Sequence, residues 1–158
     1  EEQIRIITEI IEAMKYIHSL NMIHRDLKPE NILLDNQKSV KLADFVLCRI
    51  IDEDSFTSNV GTLPFMAPEL FKDKGKYSEK VDVYAFGVVV YIILNKGKYP
   101  NISIEDKLIG NKVDFGDNFS AKAKDLINKC WDKNPEKRPT FSELSDFVKS
   151  NKDDIYAD

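Results

Sequence analysis

The chain has 158 residues, of which 42% are hydrophobic, and its 23 basic and 27 acidic side chains give a formal net charge of −4. This length suits one domain with a buried core, and the mixed charges argue against a nucleic-acid or anionic-membrane partner, which selects a dense positive field. Cys48 and Cys130 lack metal-binding spacing and are too few for a disulfide framework, and the acidic start is unlike a signal peptide. We therefore expect a cytoplasmic protein with free thiols.

The first predicted element is an amphipathic helix over residues 2–20. Ile4, Ile7 and Ile11 recur at the three- and four-residue spacing that places side chains on one helix face. Asn21 is a typical residue at which a helix ends. We expect the apolar face of this helix to pack against the rest of the core.

Residues 24–31 place an acid, an amine and an amide within six positions, as Asp26, Lys28 and Asn31. Pro29 fixes one φ angle and disfavours helix at the residue before it, so the segment is expected to be a stiff loop. Phosphoryl transfer needs these groups, because the protein contributes mainly positioning and the neutralisation of phosphate charge. The segment is thus a candidate site for phosphoryl transfer.

Two short strand-like runs follow at 32–34 and 40–42, and the turn formers between them predict a β-hairpin. With its centre at residue 37, the hairpin pairs position 34 with 40 and position 32 with 42. Asn31 then falls opposite Ala43 and beside Asp44. Amide and carboxylate oxygens suit a hard cation, so we expect Asn31 and Asp44 to hold Mg²⁺ that is bridged to phosphates.

The rest of the chain alternates one long loop with helices. Residues 45–68 have no regular pattern, and connections longer than about 12 to 15 residues are usually functional or disordered. Residues 83–94 are uncharged and apolar on every side, which predicts a buried helix with Ser78 as its N-cap and Gly97 at its end. At about 18 Å this helix is too short to cross a hydrocarbon layer of about 30 Å, so no membrane span is expected. Further predictions are a helix from Phe119 and Ser120 to Trp131, a helix from the capping box of Thr140 and Glu143 to Lys149, and a frayed polar tail at 152–158.

Four spaced motifs agree in order with one family. The loop at 24–31 resembles the catalytic loop of a eukaryotic protein kinase, residues 41–45 resemble its metal-binding Asp-Phe-Gly segment, and residues 61–69 resemble the end of its activation segment. Residues 82–87 resemble the start of its buried central helix, and Arg138-Pro139 follows at the usual distance. Over residues 1–151 the chain therefore resembles the C-terminal, large lobe of the α+β protein-kinase fold, mainly α with a short β-hairpin. Cys130-Trp131 and residues 134–141 point to the tyrosine-kinase-like group of Ser/Thr kinases.

The resemblance implies a set of roles for the candidate residues. Asp26 is expected to accept the proton of a substrate hydroxyl, and Lys28 to steady the γ-phosphate of ATP. Asn31 and Asp44 would hold Mg²⁺, and Leu33 would contact the adenine. The implied partners are ATP and a protein substrate that offers a Ser or Thr hydroxyl, a preference indicated by Lys28 together with Thr62.

The resemblance also implies structural and regulatory roles. His24 and Phe45 would belong to a hydrophobic spine, and Asp82 would anchor the backbone of the catalytic loop. A buried ion pair is expected between the side chains of Glu69 and Arg138. A phosphate on Thr57 or Ser58 would pair with Arg25 and order the loop, and Thr62 would bond to Asp26 and Lys28.

Two departures from the family pattern leave an alternative open. Val46 stands where the family has Gly, and a β-branched residue adopts a positive φ only with strain of roughly 1 to 3 kcal/mol. The nucleotide-covering N-terminal lobe is absent from these 158 residues, and the six glycines lie too far apart to form a Gly-rich loop. The alternative is a pseudokinase or truncated remnant that binds proteins. Dual specificity, for Tyr as well as Ser and Thr hydroxyls, is a further alternative.

Overall fold

The computed structural model describes residues 1–44, 49–50, 63–72 and 77–155. These residues form a mainly helical fold with two small two-stranded sheets. The elements in chain order are α1 (Glu2–Ser19), β1 (Met22–Ile23), β2 (Ile32–Leu34), β3 (Val40–Leu42), β4 (Arg49–Ile50), α2 (Glu69–Lys72), α3 (Lys80–Leu94), α4 (Ile104–Ile109), α5 (Ala121–Cys130) and α6 (Phe141–Ser150). Short 3₁₀ turns lie at Pro29–Asn31, Leu63–Phe65 and Pro135–Lys137.

Helix α1 has the predicted amphipathic character. Ile4, Ile7 and Ile11 lie on its buried face, as predicted from their spacing. The helix ends at Ser19, one residue before the predicted end, and Asn21 follows it with a φ of 55°. Asn tolerates this left-handed conformation better than most residues, which explains why the chain turns there.

The buried centre of the molecule is α3, whose residues from Val81 to Ile92 are all buried. Ser78 was predicted as its N-cap, and this is wrong by one position: the N-cap is Glu79, although the Ser78 hydroxyl still accepts a hydrogen bond from the Lys80 N–H at 3.3 Å. Gly97 has a φ of 84° and its N–H donates to the Ile92 carbonyl, so the predicted helix end is confirmed.

Gly87 lets α5 approach α3 closely. A Cβ added at Gly87 would lie 2.6 Å from the indole Nε1 of Trp131 and 2.7 Å from Cβ of Cys130, closer than real Cβ contacts. The absence of a side chain therefore allows Trp131 to pack flat against Tyr84 and Tyr91, with ring centroids 6.3 and 5.8 Å away.

The predicted start of α5 and the predicted capping box of α6 are confirmed. Ser120 accepts a bond from the Ala123 N–H and caps α5, while Thr140 and Glu143 form the reciprocal capping box of α6. The prediction of a frayed tail over residues 152–158 is wrong at Ile155. This side chain is 1% exposed, and its carbonyl accepts a hydrogen bond from the Ser120 hydroxyl at 3.0 Å.

The hairpin has the predicted register, in which Ile32 pairs with Leu42 and Leu34 with Val40. It is attached to α1 by the Glu9 carboxylate, which accepts a bond from the Val40 N–H at 2.7 Å. Strands β1 and β4 form a second antiparallel pair, which the sequence analysis did not predict. Within residues 1–44, 49–50, 63–72 and 77–155, no helix is both long enough and apolar enough to span a bilayer.

Candidate active site

The loop at 24–31 is attached to the core by Asp82, near the start of α3. The Asp82 side chain is buried, and its two oxygens accept hydrogen bonds from the N–H groups of His24 and Arg25, both at 2.9 Å. This is the anchoring contact expected from the sequence. The His18 Nε2 lies 2.8 Å from the same carboxylate and adds a third polar partner from the end of α1.

We expect Asp82→Asn to destabilise the chain by about 1 to 3 kcal/mol, the usual effect of leaving one buried polar group unsatisfied. Asn has a single acceptor oxygen, so one of the two loop N–H groups would lose its partner. Urea unfolding measures the difference. The matched control is Asp146→Asn at an exposed position of α6, and equal losses in the two variants would contradict the prediction.

His24 connects the loop to the end of β3. Its side chain is fully buried, its Nδ1 accepts a bond from the Asp26 N–H at 3.2 Å, and its Nε2 lies 3.1 Å from the Ala43 carbonyl. A ring that accepts at Nδ1 and donates at Nε2 satisfies both contacts. His24 thereby links the backbone of Asp26 to Ala43, the residue that precedes Asp44.

Asp26, Lys28 and Asn31 meet at one place. The Lys28 Nζ lies 3.4 Å from Oδ2 of Asp26, and the Asn31 amide donates to the Asp26 carbonyl at 2.8 Å and to its Oδ2 at 3.2 Å. Asp26 and Asn31 are 7% and 6% exposed. Because the NH₂ group of Asn31 is engaged by Asp26, its Oδ1 remains as an acceptor for a ligand, and no described residue donates to it.

Asp44 follows Ala43, which lies opposite Asn31 across the hairpin. The Ala43 N–H donates to the main-chain carbonyl of Asn31 at 2.8 Å, as the predicted register requires. Asp44 itself is exposed and has a φ of 60°, an uncommon conformation that Asp tolerates. The available Oδ1 of Asn31 and the carboxylate of Asp44 have the donor chemistry that Mg²⁺ prefers. Among the described residues, no three His, Cys, Asp or Glu side chains form a metal-binding group.

Arg25 also has a positive φ, of 72°, and is 8% exposed. Its guanidinium lies over the ring of Tyr77, with the Cζ atom 5.8 Å from the ring centroid. Left-handed backbone costs a non-glycine residue roughly 1 to 2 kcal/mol. The bonds from the N–H groups of His24 and Arg25 to Asp82, and the contact of the guanidinium with Tyr77, hold the backbone in this conformation next to Asp26.

The predicted ion pair between Glu69 and Arg138 is present and bidentate. Arg138 Nη1 and Nη2 lie 2.7 and 2.8 Å from the two Glu69 oxygens, and the arginine side chain is fully buried. Arg138 also donates to the carbonyls of Asp132 and Lys80 and lies over the ring of Tyr84. The pair joins α2 to the turn before α6. None of the bonds named here reaches the loop at 24–31.

The described structure does not bring the other predicted site residues into this group. Leu33, which was expected to contact adenine, is 52% exposed on the hairpin. Phe45, Thr57, Ser58 and Thr62 lie outside the described residues, as does Val46.

Sequence reasoning missed two polar residues of this region. His18 was given no role in the sequence analysis, although a His at the end of α1 and a buried Asp near the start of α3 are complementary in chemistry. Lys107 drew no attention because helix α4 carries no motif. The structure places its side chain in the interior, at 4% exposure, where it bonds to the segment that precedes α2. Its only sequence signal is a lysine beside apolar residues in a short helix.

Comparison with known proteins agrees with this geometry. A family model described as the protein kinase domain matches residues 1–147. A probable LIM domain-containing serine/threonine-protein kinase from Dictyostelium discoideum is 39% identical over 153 residues, which cover 93% of this chain and 16% of the relative. Receptor-interacting serine/threonine-protein kinase 1 from Homo sapiens is 41% identical over 162 residues, covering 87% of this chain and 24% of that protein.

A dual specificity protein kinase from Dictyostelium discoideum is 38% identical over 147 residues, covering 89% of this chain and 11% of that relative. The chain thus spans between 11% and 24% of the length of these three relatives. The family model nevertheless covers nearly all of the chain, from residue 1 to residue 147. The chain belongs to the protein kinase family.

Proposed function

We propose that this chain is the C-terminal lobe of a serine/threonine protein kinase, which transfers the γ-phosphate of ATP to a protein hydroxyl. The observation that carries the proposal is the meeting of Asp26, Lys28 and Asn31 on a loop that Asp82 anchors to the core. We assign residues 1–151 to this lobe, within the tyrosine-kinase-like group, and place the protein in the cytoplasm. The names of two of the relatives above support serine/threonine specificity.

Each residue of the group has a step in this reaction. The Asp26 carboxylate accepts the proton of the substrate hydroxyl as that oxygen bonds to the γ-phosphorus. The bond between this phosphorus and the bridging oxygen of ADP breaks, and the Lys28 ammonium offsets the negative charge on the transferred group. Mg²⁺, when bound, neutralises phosphate charge. Asn31 through Oδ1 and Asp44 through its carboxylate would hold the cation.

The remaining assignments of the site are part of the same proposal. His24 and Asp82 position the loop, and with Phe45 His24 contributes to a hydrophobic spine. Leu33 contacts the adenine, which its exposed position on the hairpin permits. Thr62 binds Asp26 and Lys28 beside the acceptor hydroxyl, which favours Ser and Thr over Tyr.

Regulation is proposed through a phosphate on Thr57 or Ser58. Arg25 is held beside Asp26 by the bond of its own N–H to Asp82, so a phosphate that reached its guanidinium would be fixed next to the catalytic carboxylate. Charge-assisted hydrogen bonds from arginine to phosphate are strong enough to order a loop. Mass spectrometry of the active kinase is expected to find this phosphate.

The proposal is tested by comparing two polypeptides. The 158-residue chain alone is expected to show no phosphotransfer, because it contains no Gly-rich loop to cover the phosphates. The polypeptide from the full reading frame is expected to phosphorylate a generic Ser/Thr substrate such as myelin basic protein when supplied with ATP and Mg²⁺. Incorporation of radiolabelled phosphate measures both.

Two outcomes would count against the proposal. Robust turnover by the 158-residue chain would mean that residues 1–158 suffice, and the assignment of only one lobe would fail. No phosphotransfer by the full-length polypeptide, together with retained binding to protein partners, would instead support the protein-binding pseudokinase.

A further inference from the structure

Lys107 is a buried lysine whose ammonium donates its hydrogen bonds, among the described residues, to main-chain carbonyls. Its Nζ donates to the carbonyls of Leu63 at 3.1 Å, Pro64 at 2.9 Å and Met66 at 3.0 Å. An ammonium has three N–H donors, so these three bonds use all of them. Lys107 therefore fixes the path of the backbone from Leu63 to Met66 irrespective of the side chains there.

Burying this side chain is costly unless its bonds are made. Burial lowers the pKa of Lys107 to about 8, and the residue is only 4% exposed. The face of the Tyr84 ring lies 5.3 Å from Nζ, and burial raises the pKa of the Tyr84 hydroxyl, so the ring presented to Lys107 belongs to a neutral phenol. The three carbonyls and this ring together offset the desolvation of the ammonium.

The helix that carries Lys107 is fixed at both ends. Ser103 and Asp106 form a capping box at the start of α4, and Gly110 ends it with a φ of 81°. A Cβ on Gly110 would lie 2.9 Å from Cδ of Lys133, so the end of α4 lies directly against that side chain. Lys107 is thus presented from a short helix whose position is well defined.

The segment that Lys107 holds is also in contact with the candidate active site. Phe65 and Met66 line a small cavity together with Arg25, Asp26 and Leu27. Leu63 and Pro64 are exposed, and the Leu63 side chain has 59% of its surface open. The segment therefore has one side against the loop that bears Asp26 and another that is open to a binding partner.

We propose that Lys107 is a positioning residue for the protein substrate: it holds residues 63–66 as the wall against which the polypeptide beside the acceptor hydroxyl lies. This inference rests on the proposed kinase function and deepens it. Lys107 does not touch the reacting atoms. It acts through the backbone of residues 63–66, whose displacement would weaken the binding of the polypeptide beside the acceptor hydroxyl.

The test is a kinetic comparison in the full-length polypeptide. Lys107→Met is expected to raise the KM for a protein substrate by about 10-fold or more, since small displacements of positioning groups have effects of this size, and to change kcat and the KM for ATP much less. Lys107→Gln, which keeps two donors on a shorter side chain, should have an intermediate effect. The control is Lys112→Met, because Lys112 is exposed and close in sequence.

A second measurement distinguishes a local effect of Lys107→Met from a failure of this variant to fold. Hydrogen exchange in Lys107→Met should accelerate at the amides of Phe65 and Met66 and stay unchanged in α6. If hydrogen exchange rises throughout the chain, Lys107→Met has failed to fold. The KM of Lys107→Gln for the protein substrate then decides the question.

An unchanged KM for the protein substrate in an active enzyme would overturn the inference, as would an equal effect of Lys112→Met. A wild-type protein without any phosphotransfer would be a failure of the proposed function instead, and the positioning role would fall with it.

Discussion

Replacing Asp26 with Asn is expected to lower phosphotransfer by the full-length polypeptide by about 100-fold or more. The removal of a general base typically costs a factor of 10² to 10⁴, because the substrate hydroxyl must then lose its proton to water. Asn has the shape of Asp, so its remaining oxygen can still lie 3.2 Å from Nδ2 of Asn31. Asp26→Asn would therefore remove the proton acceptor and leave the structure of the loop intact.

The measurement is the initial rate of phosphate incorporation at saturating ATP. Glu30→Gln is the matched control, since it makes the same change from carboxylate to amide at an exposed position of the same loop. ATP affinity and the urea midpoint of Asp26→Asn should stay near the wild-type values. An Asp26→Asn enzyme that keeps more than about a tenth of the wild-type rate would remove Asp26 from the role of base.

The features that sequence reasoning predicted well depend on local chemistry. The hairpin register follows from the turn formers at its centre, which fix which residues face each other, and it correctly placed Ala43 opposite Asn31. The capping box of Thr140 and Glu143 likewise needs only a spacing of three residues. In both cases the interacting groups are close in the chain, so tertiary packing has little to decide.

The features that were missed join distant parts of the chain. The contact between His18 and Asp82 spans 64 positions, and the bonds from Lys107 to the carbonyls of residues 63–66 span 41 to 44. No periodicity or short motif encodes such a pair, because the partners of Lys107 are main-chain carbonyls that every residue carries. Only the packing of α4 against the segment before α2 reveals them.

Backbone strain was expected at one position, and among the described non-glycine residues a positive φ is found at five others, two of which belong to the candidate site region. The sequence analysis placed it at Val46, which lies outside the described residues. The two in the candidate site region are Arg25, which precedes Asp26, and Asp44, a candidate metal ligand; the other three are Asn21, Lys38 and Lys96. Such residues persist only where the surroundings hold them, as the bonds to Asp82 hold Arg25, and they cluster at functional sites.

Replacing Arg138 with Met is expected to destabilise the chain by about 3 to 5 kcal/mol, the usual cost of removing one partner from a buried ion pair. The Arg138 side chain is fully buried and that of Glu69 is only 11% exposed, so the remaining carboxylate would lose both of its bonds while poorly hydrated. The carbonyls of Asp132 and Lys80 would lose a donor as well. The urea unfolding free energy measures this loss.

An exposed pair provides the control for this prediction. Lys149 lies 3.5 Å from Glu12, with side chains 60% and 45% exposed, and Lys149→Met should cost less than about 1 kcal/mol. The double variant Glu69→Leu and Arg138→Met should be more stable than the sum of its single changes implies, because it leaves no uncompensated buried charge. Additive losses, or an Arg138→Met loss as small as the control, would show that the pair does not act as a unit.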